Sequence, residues 1–493
     1  MDATAPPDDY LRSLCVPLRF RLPACKHSTD FQRSFQSSAA HHPESRELVE
    51  QLTARRARVA HVLSAATEVG LAEKVEAVLQ YLPPLFSLFD SLNRQDRVPL
   101  DVQLVFEWRG AFCFSPETFT KFPEVIYEVL MTLHTLAILH HCQAWEALSS
   151  SFMSNISYAG QQFLASAGIM EYMATDLIPM WLSSASPSVR PAETDVNVCL
   201  CMKELFTAEA QMMCCIKAAP SSSAGVMTKL AVAVIRLIDK GIDLLRHVPT
   251  VRLGFDTDVA FYNRGFYSAI VYYYQAEAAR AKDDTCGVAL GYYREARGRL
   301  HDLCNVPFAT TKVSLFSKYA PLMPALRGGV NQLTSLIATS SSAAERDNSL
   351  IFFQAVPAPG ELPPLPDGAY LMVCRKYVPP AESKAKVYVF GTNALPTAPL
   401  PATALERGAG GSTVAPAKDT PGKTGLEALL STLGFGGPAA SAATGVSAPM
   451  PTPPVAHIVP ATMPQPSAPP APARTDYDVA LELQRRLDNG EDA

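Results

Sequence analysis

The sequence predicts a mainly α-helical fold with a small sheet at its periphery, followed by a long disordered tail. Three observations lead there. Apolar residues recur at helical spacing through most of residues 10–390, strand-like pieces sit only at the two ends of that body, and composition changes sharply near residue 391. With 493 residues, 48% hydrophobic and 18% charged, the chain can bury one large core or two ordinary ones.

The helices are predicted in order. Residues 45–77 hold good helix formers and no Pro, and Leu52, Val59, Val62, Leu63 and Ala66 share one face. Further helices are expected over 123–150, 156–182, 196–218, 224–248, 260–281 and 287–305. The last two carry Tyr272, Tyr273, Ala276 and Ala279, then Ala289, Tyr292, Tyr293 and Ala296. Small residues beside aromatic ones mark a tetratricopeptide-like hairpin, because an Ala lets a neighbouring ring approach closely. VPLRFRL (Val16–Leu22) and the segments AYLMVCRKYV and KVYVF within 369–390 are rich in β-formers. The chain ends are therefore expected to close a small sheet on the helical body.

Composition narrows the function classes. The apolar run from Val125 to Leu139 is interrupted by Glu128 and His134, and no run reaches the roughly 20 residues of a membrane span. The first residues lack a basic stretch followed by an apolar one, Asp2 excludes N-myristoylation, and NGEDA is no prenylation box. Eleven Cys without regular spacing read as reduced thiols in a cytoplasmic protein. A net charge of −5 argues against nucleic-acid binding, yet residues 217–327 hold 15 basic against 9 acidic residues. That excess suits an acidic partner or peripheral contact with lipid headgroups; a solvated helix surface is the plainer reading.

Chemical motifs are scarce. The chain has no phosphate loop with a following Lys, no G-x-S-x-G and no H-E-x-x-H, so no enzyme and no cofactor are expected. His140, His141 and Cys142, and the group Cys199, Cys201, Cys214 and Cys215, are metal ligands by residue type. Neighbours in one helix diverge, however, and Cys on an apolar helix behaves as a small hydrophobe, so core packing is expected and no metal.

Residues 391–474 form the predicted tail. Between Leu395 and Arg474 it has 16 Pro, 17 Ala and 14 Ser or Thr, too little apolar surface to offset chain entropy. Two islands interrupt or end it: Gly425–Gly437, with Leu426, Leu429, Leu430 and Leu433 at helical spacing, and a short C-terminal helix over 475–493. That last helix loosely resembles a ubiquitin-interacting motif, but Gln484 stands where the motif prefers Ser. A solvated helix is the preferred reading, and ubiquitin a weak further partner. The tail also contains Pro396-Thr397-Ala398-Pro399 and Pro466-Ser467-Ala468-Pro469. At this composition about 0.1 such tetrapeptides are expected by chance.

Four stretches, in order, resemble the Bro-one domain family, the helical endosomal-sorting domain of Alix, rhophilin and relatives. They are PACKHSTDFQRSFQ, YLPPLFSLFDSLNRQDRVPLDVQLVFEWRGAF, YEVLMTLHTLAILHHCQAWEAL and the closing DNSLIFFQAVPAPGELPPLP, where Asp347, Asn348, Ile351, Val356, Pro357, Leu362, Pro363 and Pro364 match. The short body looks closest to small plant-type members. The resemblance implies a curved, boomerang-like helical domain over 16–390, after a flexible segment 1–15. It also implies a non-enzymatic adaptor that is cytoplasmic, recruited to endosomes, and binds the C-terminal helix of an ESCRT-III subunit. Carried over, the binding patch falls on Cys214, Lys217, Val226 and Leu230, with Cys214 standing where the family has an aromatic anchor. The family's phosphorylatable Tyr is Phe352. The two tetrapeptides resemble late-domain ligands of the ESCRT-I ubiquitin-variant domain. The alternative is a rhophilin-like signalling scaffold without ESCRT-III binding.

Overall fold

The computed structural model describes residues 16–391 other than 27–28, 65–67, 96, 113–117, 185–189, 249–256, 283, 306–322 and 382–385. The segment 1–15, the tail, both tetrapeptides, the leucine island and the terminal helix lie outside the described residues. The described residues belong to one compact unit, Met1–Ala440.

The elements run β1 (Ala24–Cys25), α1 (Phe31–Ser34), α2 (Gln36–Ala39), α3 (Pro43–Val62), α4 (Leu71–Asn93), β2 (Phe106–Arg109), β3 (Thr120–Phe122), α5 (Val125–Ser150) and α6 (Phe152–Tyr172). A π turn, Met173–Leu177, joins α6 to α7 (Ile178–Ser184). Then follow α8 (Val196–Ala218), α9 (Ala224–Leu245), α10 (Thr257–Arg280), α11 (Cys286–Asn305) and α12 (Met323–Asp347). Side chains start several of these helices. Asp195 accepts the N–H groups of Asn197 at 2.7 Å and Val198 at 3.2 Å at the head of α8, and Ser223 accepts that of Val226 at the head of α9.

The predicted single helix over 45–77 is two. α3 ends at Val62, and Gly70 adopts extended backbone as the N-cap of α4. Helix α4 runs through Pro83 and Pro84. Pro84 has no N–H for the carbonyl of Gln80, and the guanidinium of Arg55 on α3 donates to that carbonyl instead. Helix α12 has no counterpart among the expected helices, because Gly328, Gly329 and a Ser/Thr-rich run lower its propensity. Helices α10 and α11 pack as the expected hairpin: Tyr272 and Tyr292 rings lie 6.3 Å apart, Tyr273 and Tyr293 rings 6.4 Å apart. Ala276, Ala289 and Ala296 are fully buried between them.

Helix α5 is long and apolar enough to cross a membrane, and 89% of its most apolar stretch is buried inside the fold, so it is the core helix. Glu128, which interrupts its apolar run, is fully buried. It accepts from Arg56 Nε of α3 at 2.6 Å, Tyr81 Oη of α4 at 3.0 Å and Trp108 Nε1 of β2 at 2.5 Å. Arg56 in turn donates to the carbonyl of Lys26 at 2.6 Å. One carboxylate thus ties four elements together. Burial works against the charge on Arg56, but Glu128 outweighs it and holds the guanidinium above its ordinary pKa.

The sheet exists, but the expected segments do not build it. It is antiparallel, ordered β1-β2-β3, with Cys25 opposite Trp108 and Glu107 opposite Lys121. Val16–Leu22 and the described residues of 369–390 are extended without strand partners. They lie on helices that satisfy their backbone instead. Asn263 accepts from Val16 N at 3.1 Å and donates to its carbonyl at 2.9 Å. The described residues from Gln354 to Gly391 form a strap across the helices. Tyr377 N donates to Gly168 O at 3.0 Å, Tyr388 N to Ser91 Oγ at 2.9 Å and Phe390 N to Gln95 Oε1 at 2.9 Å. Such close approach needs glycine beneath it. A Cβ on Gly168 would stand 2.0 Å from the carbonyl oxygen of Arg375, and one on Gly287 would stand 2.3 Å from that of Ala355.

Removing one partner of the buried pair strands the other charge. Arg56→Met is expected to cost about 3–5 kcal/mol in urea unfolding. Gly168→Ala should lower stability by about 1–3 kcal/mol and speed hydrogen exchange at the Tyr377 amide; an unchanged exchange rate would show that the strap tolerates the methyl.

Candidate partner-binding site

Helices α8 and α9 pack antiparallel, and α8 is buried along almost its whole length. Two of its residues, Glu209 and Gln211, stand about 200° apart around the axis and reach opposite sides. Glu209 Oε2 meets His141 Nε2 of α5 at 2.9 Å, both groups 2% exposed, and Glu209 Oε1 accepts from Trp145 Nε1 and Leu18 N, each at 3.3 Å. Burial opposes protonation of His141, but the carboxylate prevails and its pKa rises to about 9. His141 is thus an imidazolium at neutral pH, and this pair anchors the N-terminal extended segment to the core. His134 is different. It is fully buried, no hydrogen bond reaches its ring nitrogens, and burial lowers its pKa to about 3.

Gln211 faces the strap. Its Oε1 accepts from Leu371 N at 3.2 Å and Met372 N at 3.1 Å. Its Nε2 donates to Ala369 O at 3.0 Å and reaches Leu230 O at 3.5 Å. Ala369 N donates to Lys229 O at 2.9 Å, and Gly368 passes within contact of Ala233. The strap therefore crosses α9 and then α8, with Leu230 at the crossing.

The four expected patch residues part company here. Cys214 and Leu230 are both 0% exposed. They are core residues and present no side-chain surface, which corrects their placement on a surface patch. Val226 is half-buried, and Lys217 is half-buried with its ammonium donating to Ser157 Oγ of α6. The Lys217–Ser157 bond joins these two to the exposed face of α6 in one rim, where Met153 is 38% and Tyr158 42% exposed. On the strap, which crosses the same two helices, Tyr370 is 49% exposed. Sequence reasoning overlooked Gln211 and Tyr370. A polar residue in an apolar helix and an aromatic in a supposed strand carried no signal that the two segments meet.

The metal-ligand types are spent on other bonds. His140 Nδ1 meets Gln162 Oε1 at 2.7 Å, and His141 holds Glu209. Cys199, Cys201, Cys214 and Cys215 are buried, and burial pushes the Cys214 thiol up to about 12. Among the described residues no three His, Cys, Asp or Glu side chains are grouped to hold a metal ion.

A family model, the BRO1-like domain, matches residues 26–390. The chain belongs to the BRO1-like domain family. Solved structures share its fold. The structure described as "ALIX BRO1 CHMP4C complex" matches with a TM-score of 0.58 at 14% identity, covering 76% of this chain and 98% of that one. Alix in complex with the SIVmac239 PYKEVTEDL late domain matches at 0.59 and 15% identity, covering 76% of this chain and 52% of that one. A third, "Structure basis for endosomal targeting by the Bro1 domain", matches at 0.56 and 14%, covering 73% and 93%. No curated protein sequence matches the chain. The BRO1-like body thus accounts for the closing DNSLIFFQAVP stretch: Asn348 brackets the turn, donating to Gln354 O at 2.9 Å and accepting from Gln354 N at 3.0 Å.

Folding raises the pKa of His141 from its unfolded value near 6.5 to about 9. Its stabilisation is full below about pH 6.5 and is lost as pH rises through 9. The stability gap between the natural protein and His141→Gln, read by urea unfolding, is expected to narrow from pH 6.5 to 9.5. The depressed pKa of His134 has the opposite sense. His134→Leu should make the protein less sensitive to acid between pH 6 and 4.

Proposed function

We propose that this BRO1-like protein is a non-enzymatic adaptor of endosomal sorting, cytoplasmic and recruited to endosomes. Its body over residues 16–390 docks the C-terminal amphipathic helix of an ESCRT-III subunit. The observation that carries this reading is the match of nearly the whole chain of the Alix domain solved with CHMP4C, joined to a half-open rim on α6, α8 and α9. A helix laid on that rim would meet Val226 and Met153 as apolar contacts and Lys217 and Lys229 as a basic border. The Pro/Ala-rich tail over 391–474 would then serve as an arm, whose Pro396–Pro399 and Pro466–Pro469 tetrapeptides are ligands for ESCRT-I, since a proline-restricted peptide binds at little ordering cost.

A signalling scaffold without ESCRT-III binding is the second reading. The burial of Cys214 and Leu230 favours it, because a site without its aromatic anchor loses much of its binding energy.

Titration of the full chain with the C-terminal helix of CHMP4C separates the two. Binding in the micromolar range, weakened at least tenfold by Val226→Asp with an unchanged melting temperature, is expected of the adaptor; no binding by the natural protein supports the scaffold. For the tail, Ala398→Arg combined with Ala468→Arg should abolish capture of the ESCRT-I ubiquitin-variant domain. Undiminished capture would return both tetrapeptides to accidents of composition.

A further inference from the structure

An amphipathic helix is held chiefly by one or two large side chains. Position 214 supplies none, since Cys214 is small and 0% exposed. The strap brings a large exposed side chain to the same pair of helices. Tyr370 is 49% exposed and directly follows Ala369, whose N–H is bonded to Lys229 of α9 and whose carbonyl is bonded to Gln211 of α8. Gln211 lies one helical turn before Cys214, and Lys229 one turn after Val226, so the strap delivers Tyr370 to the crossing of the two helices that carry the rim. Its backbone is fixed on both sides. Leu371 and Met372 donate to Gln211 Oε1, and Met372 is buried at 3% exposure. A large aromatic on an immobilised backbone costs little entropy to engage.

Two further features define the partner. Tyr158, 42% exposed on α6, adjoins Ser157, the acceptor of the Lys217 ammonium. Lys229 is exposed, and its ammonium has no carboxylate within ion-pair distance among the described residues. A helix with an apolar face flanked by acidic side chains complements this border.

We propose that Tyr370 is the aromatic anchor of the docking surface, serving where position 214 has lost its own, with Tyr158 as the second contact and an acidic-flanked amphipathic helix as the occupant. This rests on the reading of an ESCRT-III helix as partner. The test is fluorescence anisotropy of a labelled CHMP4C C-terminal helix titrated with full-length protein. Tyr370→Ala is expected to weaken binding at least tenfold. Tyr370→Phe should stay within about threefold, since the ring supplies the contact area. Val373→Ala, on the same strap and 68% exposed, should bind like the natural protein, and hydrogen exchange at Leu371 and Met372 should be alike in all variants. Natural binding by Tyr370→Ala, or equal loss in Tyr370→Ala and Val373→Ala, overturns the assignment while leaving the adaptor reading in place. Absence of binding by the natural protein overturns the adaptor reading and the anchor with it.

Discussion

An extended chain lying on helices has no strand beside it, and its backbone groups must still be satisfied. Gln211 meets that need at the centre of this molecule. One primary amide accepts from two successive N–H groups of the strap and donates to the carbonyl just before them. Gly168, Gln95 and Ser91 continue the same service further along. Because these bonds replace a β-ladder, the strap, about the last tenth of the body, reaches from α11 back to α2, and the last described residue, Gly391, donates to Ser38. The helical array is thereby closed from one end to the other by its own chain.

The interior uses charge in the same economical way. Glu128 with Arg56, and Glu209 with His141, are ion pairs taken out of water, each carboxylate also receiving neutral donors. Such pairs are poor sources of net stability but severe on any substitution that leaves one partner alone. They specify which helix meets which. Glu128 can be satisfied only if α3, α4 and β2 all reach α5, and Glu209 only if α5 and the N-terminal segment both reach α8.

Much of the architecture was legible in residue order. The helices expected over 196–218 and 224–248 form as Val196–Ala218 and Ala224–Leu245, with Asp195 and Ser223 capping them in the structure. The Tyr and Ala pattern announced the packing of α10 on α11. The misread strands share one cause. Val16–Leu22 and 369–390 have strand-like composition, yet β-propensity describes a fit to a half-buried surface and is silent about whether that surface is a sheet or a row of helices. Helix α4 was hidden by Pro83 and Pro84, because the bond that rescues Gln80 comes from a different helix.

By itself the sequence determined the helix periods, the family-like order of motifs and the absence of catalytic signatures, since these are local properties of neighbouring residues. Only the tertiary structure decided which residues of α8 and α9 meet solvent. Cys214 and Leu230 have the same amphipathic setting as Val226, but the strap returns from some 140 residues beyond Leu230 to cross at that point, leaving Val226 half-open. Burial is a sum over all neighbours in space, and the neighbour that mattered is remote in the chain.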